Sequence, residues 1–252
     1  MLRSTLRCVV SLLSLMAIFV APLAAEEVDL ELVLLADASG SIDEGELRLQ
    51  REGYAAAITH PSVLAAIASG PKRRIALIYV EWATDGSQDV LVPWSIVDGA
   101  SAAGTVAAQL RDPTKPRRTW GGNAIGSAIA LGQSLIEKNN IAAERQVIDV
   151  SADSANSWSG VPLETARQAA IAAGITINGL AILCRDEQCG GRPVGYDLED
   201  AFRRTIIGGP GAFVVTAEDR SSFENAVRRK LVLEIAECSH EQCATRRRNE
   251  PL

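Results

Sequence analysis

The stretch LELVLLADASGS, residues 30–41, is the most informative part of the sequence. Its apolar first half, residues 30–36, predicts a buried strand. Asp37, Ser39 and Ser41 then place three side-chain oxygens in a single turn. Hard divalent cations such as Mg²⁺ take oxygen ligands of this kind and keep several waters. The stretch therefore predicts a strand that ends in a candidate metal-binding loop.

Apolar runs alternate with segments of helical periodicity along the rest of the chain. Strands are predicted at residues 30–36, 74–82, 89–94, 146–150, 175–183 and 212–216, and helices at 44–59, 100–110, 124–138, 162–173, 198–207 and 221–235. This alternation predicts parallel βαβ units in an α/β fold. We expect a doubly wound, mostly parallel open sheet with helices on both faces and one antiparallel edge strand. In such sheets ligands bind beyond the carboxyl ends of the strands, where Asp37 is predicted to lie.

The first 25 residues have the layout of a secretory signal peptide. Arg3 and Arg7 give a basic start, an apolar run covers residues 8–20, and small residues precede Glu26. Cleavage is expected after Ala25, and the mature protein is expected to be periplasmic or secreted. The alternative is an uncleaved membrane anchor, but the apolar run is shorter than the roughly 20 residues that span a bilayer.

The mature chain has the length of one α/β domain. We assign this domain to residues 26–236 and a Cys-containing basic tail to residues 237–252. The chain has 25 Lys and Arg against 31 Asp and Glu, a formal net charge of −6. An acidic chain gives no indication of nucleic acid as a partner. After signal cleavage no segment is apolar and long enough to suggest contact with a membrane.

Four cysteines remain in the mature chain and fall in two close pairs. An even number of cysteines in an exported protein favours disulfides. Cys184 could pair with Cys189 and Cys238 with Cys243, or the pairs could cross and tie the tail to the domain; the sequence leaves both open. A zinc site that includes His240 is a further alternative, but neither pair has the two-residue spacing of a zinc knuckle.

Two later loops bring further oxygen ligands to strand-to-helix junctions. The segment GGNAIGSA, residues 121–128, contains Asn123, and the segment VIDVSADS, residues 147–154, contains Asp153. With the first loop, they resemble the metal-ion-dependent adhesion site (MIDAS) of von Willebrand factor type A domains. That site combines Asp-x-Ser-x-Ser, Gly-Gly-Thr-x-x-Gly-x-Ala and an Asp usually followed by Gly. Here Asn123 stands in place of the Thr and Ser154 in place of the Gly.

The resemblance covers residues 28–235, nearly all of the mature chain, and points to an exported bacterial branch of unknown function. It implies a Rossmann-like fold and one Mg²⁺ site, or a site for Mn²⁺ or Ca²⁺. It also implies an open coordination position that the carboxylate of a protein partner fills, so that the protein binds and does not catalyse. The implied ligands are Asp37, Ser39, Ser41, Asn123 and Asp153.

Two tryptophans adjoin these loops. Trp120 precedes the second loop and Trp158 follows the third. Because tryptophan is favoured at interaction hot spots, both are candidate partner-binding residues. We prefer the alternative interpretation, in which both tryptophans cover the loops and fill the edges of the core. Trp82 and Trp94 lie at the ends of predicted strands, and we expect them to be structural.

The three loops are also compatible with functions that do not involve a metal-dependent adhesion site. Asp, Ser and Gly after a strand also cap helices, so a metal-free interaction scaffold is the main alternative. A hydrolase is less favoured, because Ala38-Ser39-Gly40 lacks the first glycine of a nucleophile elbow. The histidines available as bases, His60 and His240, are both expected to be exposed to solvent. No phosphate-binding loop or dinucleotide fingerprint is present, so we predict a binding module and not an enzyme.

Overall fold

The computed structural model describes residues 25–183, 194–219 and 221–236. Within these ranges the chain forms the six predicted strands and seven helices, one helix more than the sequence predicts. The strands are β1 (Glu26–Asp37), β2 (Ile75–Trp82), β3 (Gln88–Val97), β4 (Ile141–Ala152), β5 (Thr176–Ile182) and β6 (Val214–Ala217). The helices are α1 (Glu44–Thr59), α2 (Pro61–Ser69), α3 (Ala100–Leu110), α4 (Ile125–Glu137), α5 (Leu163–Ala172), α6 (Leu198–Thr205) and α7 (Phe223–Ile235).

The strands form one sheet in the order β3-β2-β1-β4-β5-β6. All neighbouring strands are parallel except β3, which pairs antiparallel with β2 at the edge. The fold class predicted from the sequence is thus confirmed. The chain proceeds from β1 to β2 on one side and from β4 to β5 on the other. The topological switch point, where such sheets bind ligands, therefore lies between the ends of β1 and β4.

The two faces of the sheet carry separate hydrophobic cores. Leu32 and Leu34 of β1 belong to the core formed with α1, α2, α3 and α7, whereas Val33 and Leu35 belong to the core formed with α4, α5 and α6. Every residue of β1 from Val28 onward is buried. A central parallel strand reads as a nearly continuous apolar run for this reason, since both of its faces are covered.

Three local predictions were incomplete or wrong. The proline at position 61 was interpreted only as the end of α1, but it also begins α2, because Pro suits the first turn of a helix. His60 is partly buried and not exposed as expected: its Nδ1 accepts a hydrogen bond from the Ser62 backbone N–H at 3.2 Å and caps α2. Strand β4 begins at Ile141, five residues earlier than predicted, where Ile141 and Ala142 pair with the start of β1.

Several expectations from the sequence fall outside the described residues. These are the signal peptide over residues 1–24, the tail over residues 237–252 and the four disulfide candidates Cys184, Cys189, Cys238 and Cys243. Among the helices of the described residues, none combines the length and apolar character needed to cross a membrane.

Candidate metal centre

The first loop begins at Asp37, the last residue of β1, whose side chain is fully buried. The Ser39 backbone N–H donates to Asp37 Oδ1 at 2.8 Å, a turn in which an Asp side chain holds the backbone two residues on. Asp37 Oδ2 has no hydrogen-bond partner. The hydroxyl oxygens of Ser39 and Ser41 lie 3.2 Å apart. The loop thus presents one free carboxylate oxygen and two adjacent hydroxyls.

The second loop packs directly against the first. The Gly40 backbone N–H donates to the Gly121 carbonyl at 2.8 Å, and a Cβ on Gly40 would lie 3.3 Å from that oxygen. Gly121 has a φ of 99°, which favours glycine over other residues. The close approach brings Asn123, which is 5 % exposed, to the same place. Its side-chain Oδ1 has no hydrogen-bond partner.

The third loop begins where β4 ends, and its first residue is Asp153. This side chain is partly buried, and its Oδ1 is buried without a hydrogen-bond partner. Ser154 replaces the usual glycine without strain, because among the described residues the only non-glycine with positive φ is Arg73. The Ser154 hydroxyl instead accepts a hydrogen bond from the Asn156 backbone N–H at 3.1 Å.

The three loops enclose one cleft of about 390 Å³ at the switch point of the sheet. Ser39, Ser41, Asn123 and Asp153 line this cleft, and Asp37 lies beneath it, hydrogen-bonded to Ser39. The structure therefore brings together all five residues that the sequence predicted as ligands. His60, the one described histidine, lies at the junction of α1 and α2 and does not line the cleft.

The chemistry of these residues fits a divalent cation. Eight buried side-chain atoms in the described residues have no hydrogen-bond partner, and three of them are the oxygens of Asp37, Asn123 and Asp153. Leaving a buried polar atom unpaired costs free energy, so three such atoms from three loops suggest a missing common partner. Two carboxylates, two hydroxyls and an amide carbonyl form an all-oxygen set that suits Mg²⁺, Mn²⁺ or Ca²⁺.

The electrostatics of the cleft agree with this fit. Burial, and secondarily the nearby charge of Asp153, raise the pKa of Asp37 to about 8. Burial likewise raises the pKa of Asp153 above its ordinary value. Two adjacent carboxylates in a poorly solvated place disfavour their charged forms, and a bound cation reverses this preference. In the described residues no three His, Cys, Asp or Glu side chains cluster as a metal centre, and the candidate site itself supplies two carboxylates beside its hydroxyl and amide oxygens.

Arg117 supports the first loop, although sequence reasoning did not single it out. Its guanidinium donates to the carbonyl of Ile42 at 2.7 Å, to that of Ser39 at 2.5 Å and to that of Ala38. It also donates to the Thr119 carbonyl at 3.0 Å. One side chain thus satisfies several carbonyls of the loop and fixes its shape. These contacts join segments that are far apart in the sequence. No local sequence pattern therefore indicates this role of Arg117.

The two tryptophans beside the loops do not fill the core. Trp120 is 65 % exposed and Trp158 is 73 % exposed, so the expectation that they fill the edges of the core was wrong. Tyr196, which the sequence did not single out, lines the cleft and is 45 % exposed. Trp82 is fully buried and Trp94 packs against the core, as expected of structural residues.

Asn123 provides a direct test of the ligand set. We expect Asn123→Ala to lower the affinity for Mg²⁺ by at least about tenfold, because the cleft loses one oxygen ligand and even the outer-shell partners of metal ligands contribute about 10- to 100-fold. Asn123→Thr restores an oxygen that the related sites use, so it should bind Mg²⁺ nearly as well as the native protein. Isothermal titration calorimetry measures both, with circular dichroism to confirm folding. Native affinity in Asn123→Ala would remove Asn123 from the ligand set.

Solved structures similar to this one contain von Willebrand factor type A domains. The pilus adhesin SpaC of Lactobacillus rhamnosus GG has a TM-score of 0.57 and 13 % identity over 84 % of this chain and 31 % of its own. A von Willebrand factor type A protein of Catenulispora acidiphila has a TM-score of 0.55 and 17 % identity over 83 % and 43 %. Proximal thread matrix protein 1 of the mussel byssus, with a zinc-occupied MIDAS motif, has a TM-score of 0.54 and 17 % identity over 84 % and 49 %.

These likenesses concern the fold, since the identities are low and this chain spans only about a third to a half of those three proteins. No curated protein sequence matches the chain. A family model described as a protein of unknown function (DUF1194) matches residues 27–239, most of the chain. The chain therefore belongs to the DUF1194 family, and its fold is that of a von Willebrand factor type A domain.

Proposed function

We propose that this protein is an exported binding module that engages a protein partner through a divalent cation held in the cleft. The observation that carries the proposal is the convergence of three unpaired buried oxygens, one from each loop, on one place. Asp37, Ser39, Ser41, Asn123 and Asp153 would hold the cation, with Mg²⁺ as the first choice and Mn²⁺ or Ca²⁺ as alternatives.

The partner would bind at an open coordination position of the cation. Mg²⁺ keeps several waters when few protein ligands reach it, and Ser41 at the mouth of the cleft is exposed. A carboxylate from a partner could replace one of those waters. Two of the similar structures support such a role, one a pilus adhesin and the other a protein with zinc in its MIDAS motif. The cation would then join two proteins and would not activate a substrate.

Export is part of the proposal. Residues 1–25 would direct the chain to the periplasm or the medium, where the cysteines of the tail and of residues 184–189 would form disulfides. The mature protein would consist of the domain over residues 26–236 and the tail over 237–252. Similarity to a pilus adhesin and to a domain of a pili tip protein favours a location outside the cytoplasm.

Titration of the mature chain with Mg²⁺ tests the proposal. We expect one binding site per chain, and a clear loss of affinity in Ser41→Ala, because the cleft then loses a hydroxyl ligand. Ser101→Ala is the matched control, since Ser101 is an exposed serine of α3 that does not line the cleft. Absence of binding by the native chain to Mg²⁺, Mn²⁺ and Ca²⁺ would favour a metal-free scaffold. Metal-dependent hydrolysis that Ser39→Ala abolishes would replace a binding role with an enzymatic one.

A further inference from the structure

Of the four exposed large hydrophobic side chains of the described residues, the three aromatic ones lie at or next to the cleft. The four are Val90, Trp120, Trp158 and Tyr196. Trp158 and Tyr196 line the cleft, and Trp120 adjoins Gly121, which also lines it. Exposed aromatic side chains grouped at one place on a soluble protein mark an interaction surface. We refer to Trp120, Trp158 and Tyr196 as the aromatic rim.

Trp158 and Tyr196 of the aromatic rim form hydrogen bonds with the loops that carry the candidate ligands. The Trp158 backbone N–H donates to the Asn123 carbonyl at 2.6 Å. The Tyr196 hydroxyl accepts a hydrogen bond from the Ala155 backbone N–H at 3.0 Å, two residues after Asp153. The main chain at Trp158 and the side chain of Tyr196 are therefore placed relative to the candidate site before any partner arrives. Such preorganisation lowers the entropic cost of binding.

Trp120 is held in a comparable way on the other loop. Its backbone N–H donates to the Ser87 hydroxyl at 3.0 Å, and the Arg117 guanidinium carbon lies 5.6 Å from the centre of its ring. Because Arg117 also donates to the first loop, the position of Trp120 is coupled to the shape of the candidate site. The ring nevertheless remains largely in solvent, which no packing requirement of the domain explains.

The charges at the rim favour an acidic partner. Arg118 lies two residues before Trp120, is exposed, and forms no ion pair with another residue that the structure describes. Arg118 is thus an exposed basic residue close in the chain to the aromatic rim of a protein whose net charge is −6. Complementary charge guides association and selects among partners. The candidate cation site, the three aromatic rings and this arginine together favour an acidic and partly apolar partner.

We infer that the cleft binds an extended peptide segment of a partner protein in which an acidic residue adjoins an aromatic or large aliphatic residue. The carboxylate would complete the coordination of the cation, a step that rests on the proposed function, and the apolar neighbour would pack against the aromatic rim. A carboxylate on a cation mainly replaces a water, whereas each aromatic contact buries a large apolar area. The apolar neighbour therefore supplies most of the affinity and the selectivity.

Three acetylated and amidated peptides test the inference in the presence of Mg²⁺: Gly-Gly-Asp-Phe-Gly, Gly-Gly-Asp-Ala-Gly and Gly-Gly-Asn-Phe-Gly. We expect the first to bind at least about tenfold more tightly than either of the others, the scale of a hot-spot contact. Its binding should shift tryptophan fluorescence to shorter wavelength, and chelation of Mg²⁺ should reverse the shift. These peptides contain no tryptophan, so the signal comes from the protein.

Variants separate the rim from the cation site. Trp158→Ala should lose the preference for the Asp-Phe peptide and keep the native affinity for Mg²⁺. Val90→Ala is the matched control, because Val90 is an exposed apolar residue that does not line the cleft, and it should behave as the native protein.

Three outcomes would contradict the inference. If calorimetry shows no binding of Mg²⁺, Mn²⁺ or Ca²⁺, the proposed function fails and the inference with it. If Mg²⁺ binds but the Asp-Phe and Asp-Ala peptides bind equally and Trp158→Ala has no effect, only the inference fails. If glucuronic acid binds in a Trp158-dependent way and the peptides do not, the rim recognises an acidic sugar and the peptide assignment is wrong.

Discussion

Asp37→Asn is expected to abolish stabilisation by Mg²⁺ while leaving the metal-free protein at least as stable as the native one. Binding at 100 times the dissociation constant stabilises a folded protein by about 2.7 kcal/mol. For a domain of this size that corresponds to a rise in Tm of about 5–10 °C. Asp37→Asn removes a carboxylate ligand, so the rise should vanish. In the variant, the carboxylate of Asp153 no longer faces a second buried carboxylate. The Tm of the metal-free variant should therefore be no lower than that of the metal-free native protein.

The stability of the metal-free protein should also depend on pH through the carboxyl group of Asp37. In the native fold the pKa of Asp37 is raised from 3.8 to about 8 by burial and by Asp153. Stability from a carboxyl with a raised pKa is fully present below the unfolded pKa and is lost as pH rises through the folded one. The native protein without metal should therefore lose stability between about pH 4 and pH 8, and Asp37→Asn should lose less.

Differential scanning calorimetry with Mg²⁺ or with chelator measures both effects. Asp98→Asn is the matched control, because Asp98 is exposed and does not line the cleft, and it should keep the full Mg²⁺ response. A Tm rise in Asp37→Asn equal to that of the native protein would mean that the cation binds elsewhere.

Lys230→Met should be strongly destabilising, and more so at alkaline than at acid pH. Lys230 is 1 % exposed, and its Nζ lies 2.5 Å from Asp149 Oδ1 and 2.5 Å from Glu234 Oε1. Removing the one cation leaves two buried carboxylates unpaired, which costs about 3–5 kcal/mol. Burial raises the pKa of Asp149 and raises that of Glu234 to about 7, while the charge of Lys230 opposes both shifts.

The sign of the pH effect follows from these shifts. Without Lys230 both carboxyls become harder to ionise in the fold, so their folded pKa values rise further above the unfolded ones. Stability is then retained at acid pH, where they are protonated, and lost as pH rises through the folded pKa values. Urea unfolding at pH 5 and pH 8 measures the difference.

The same cluster joins α7 to the sheet and to α1. The Tyr54 hydroxyl donates to Asp149 Oδ2 at 3.2 Å, and the Asn178 amide donates to Glu234 Oε1 at 3.2 Å. Lys72→Met is the matched control, because Lys72 pairs with Glu27 at the surface and such pairs contribute about 0–1 kcal/mol. Adding Glu234→Gln to Lys230→Met should recover part of the loss. Equal losses in the two lysine variants would contradict a buried-charge role for Lys230.

Most of the fold could be predicted because the central strands are covered on both faces. The apolar run before Asp37 indicates a buried parallel strand on its own. The first half of β4 could not be found in this way, since Glu144 and Arg145 lie in a polar stretch that is held by pairing with β1 and not by burial. Helix α2 was missed because a proline ends one helix and begins another, and the sequence shows only the interruption.

The candidate ligands could be predicted because each loop is a short local pattern at the end of a strand. What the sequence could not show is the contacts between loops. Arg117 reaches the first loop from about 75 residues away, and Tyr196 reaches the third from about 41. The exposure of Trp120 and Trp158 was also hidden, because a single aromatic residue in a loop has no periodic pattern that reveals its burial.

The most direct measurement is the anomalous scattering of Mn²⁺ in crystals of the mature chain grown with that ion. We expect one strong peak in the cleft, within coordination distance of oxygens of Ser39, Ser41 and Asn123, with Asp37 and Asp153 bound directly or through water. No peak at saturating Mn²⁺, or a peak only outside the cleft, would contradict the central claim that the three loops form a divalent-cation site.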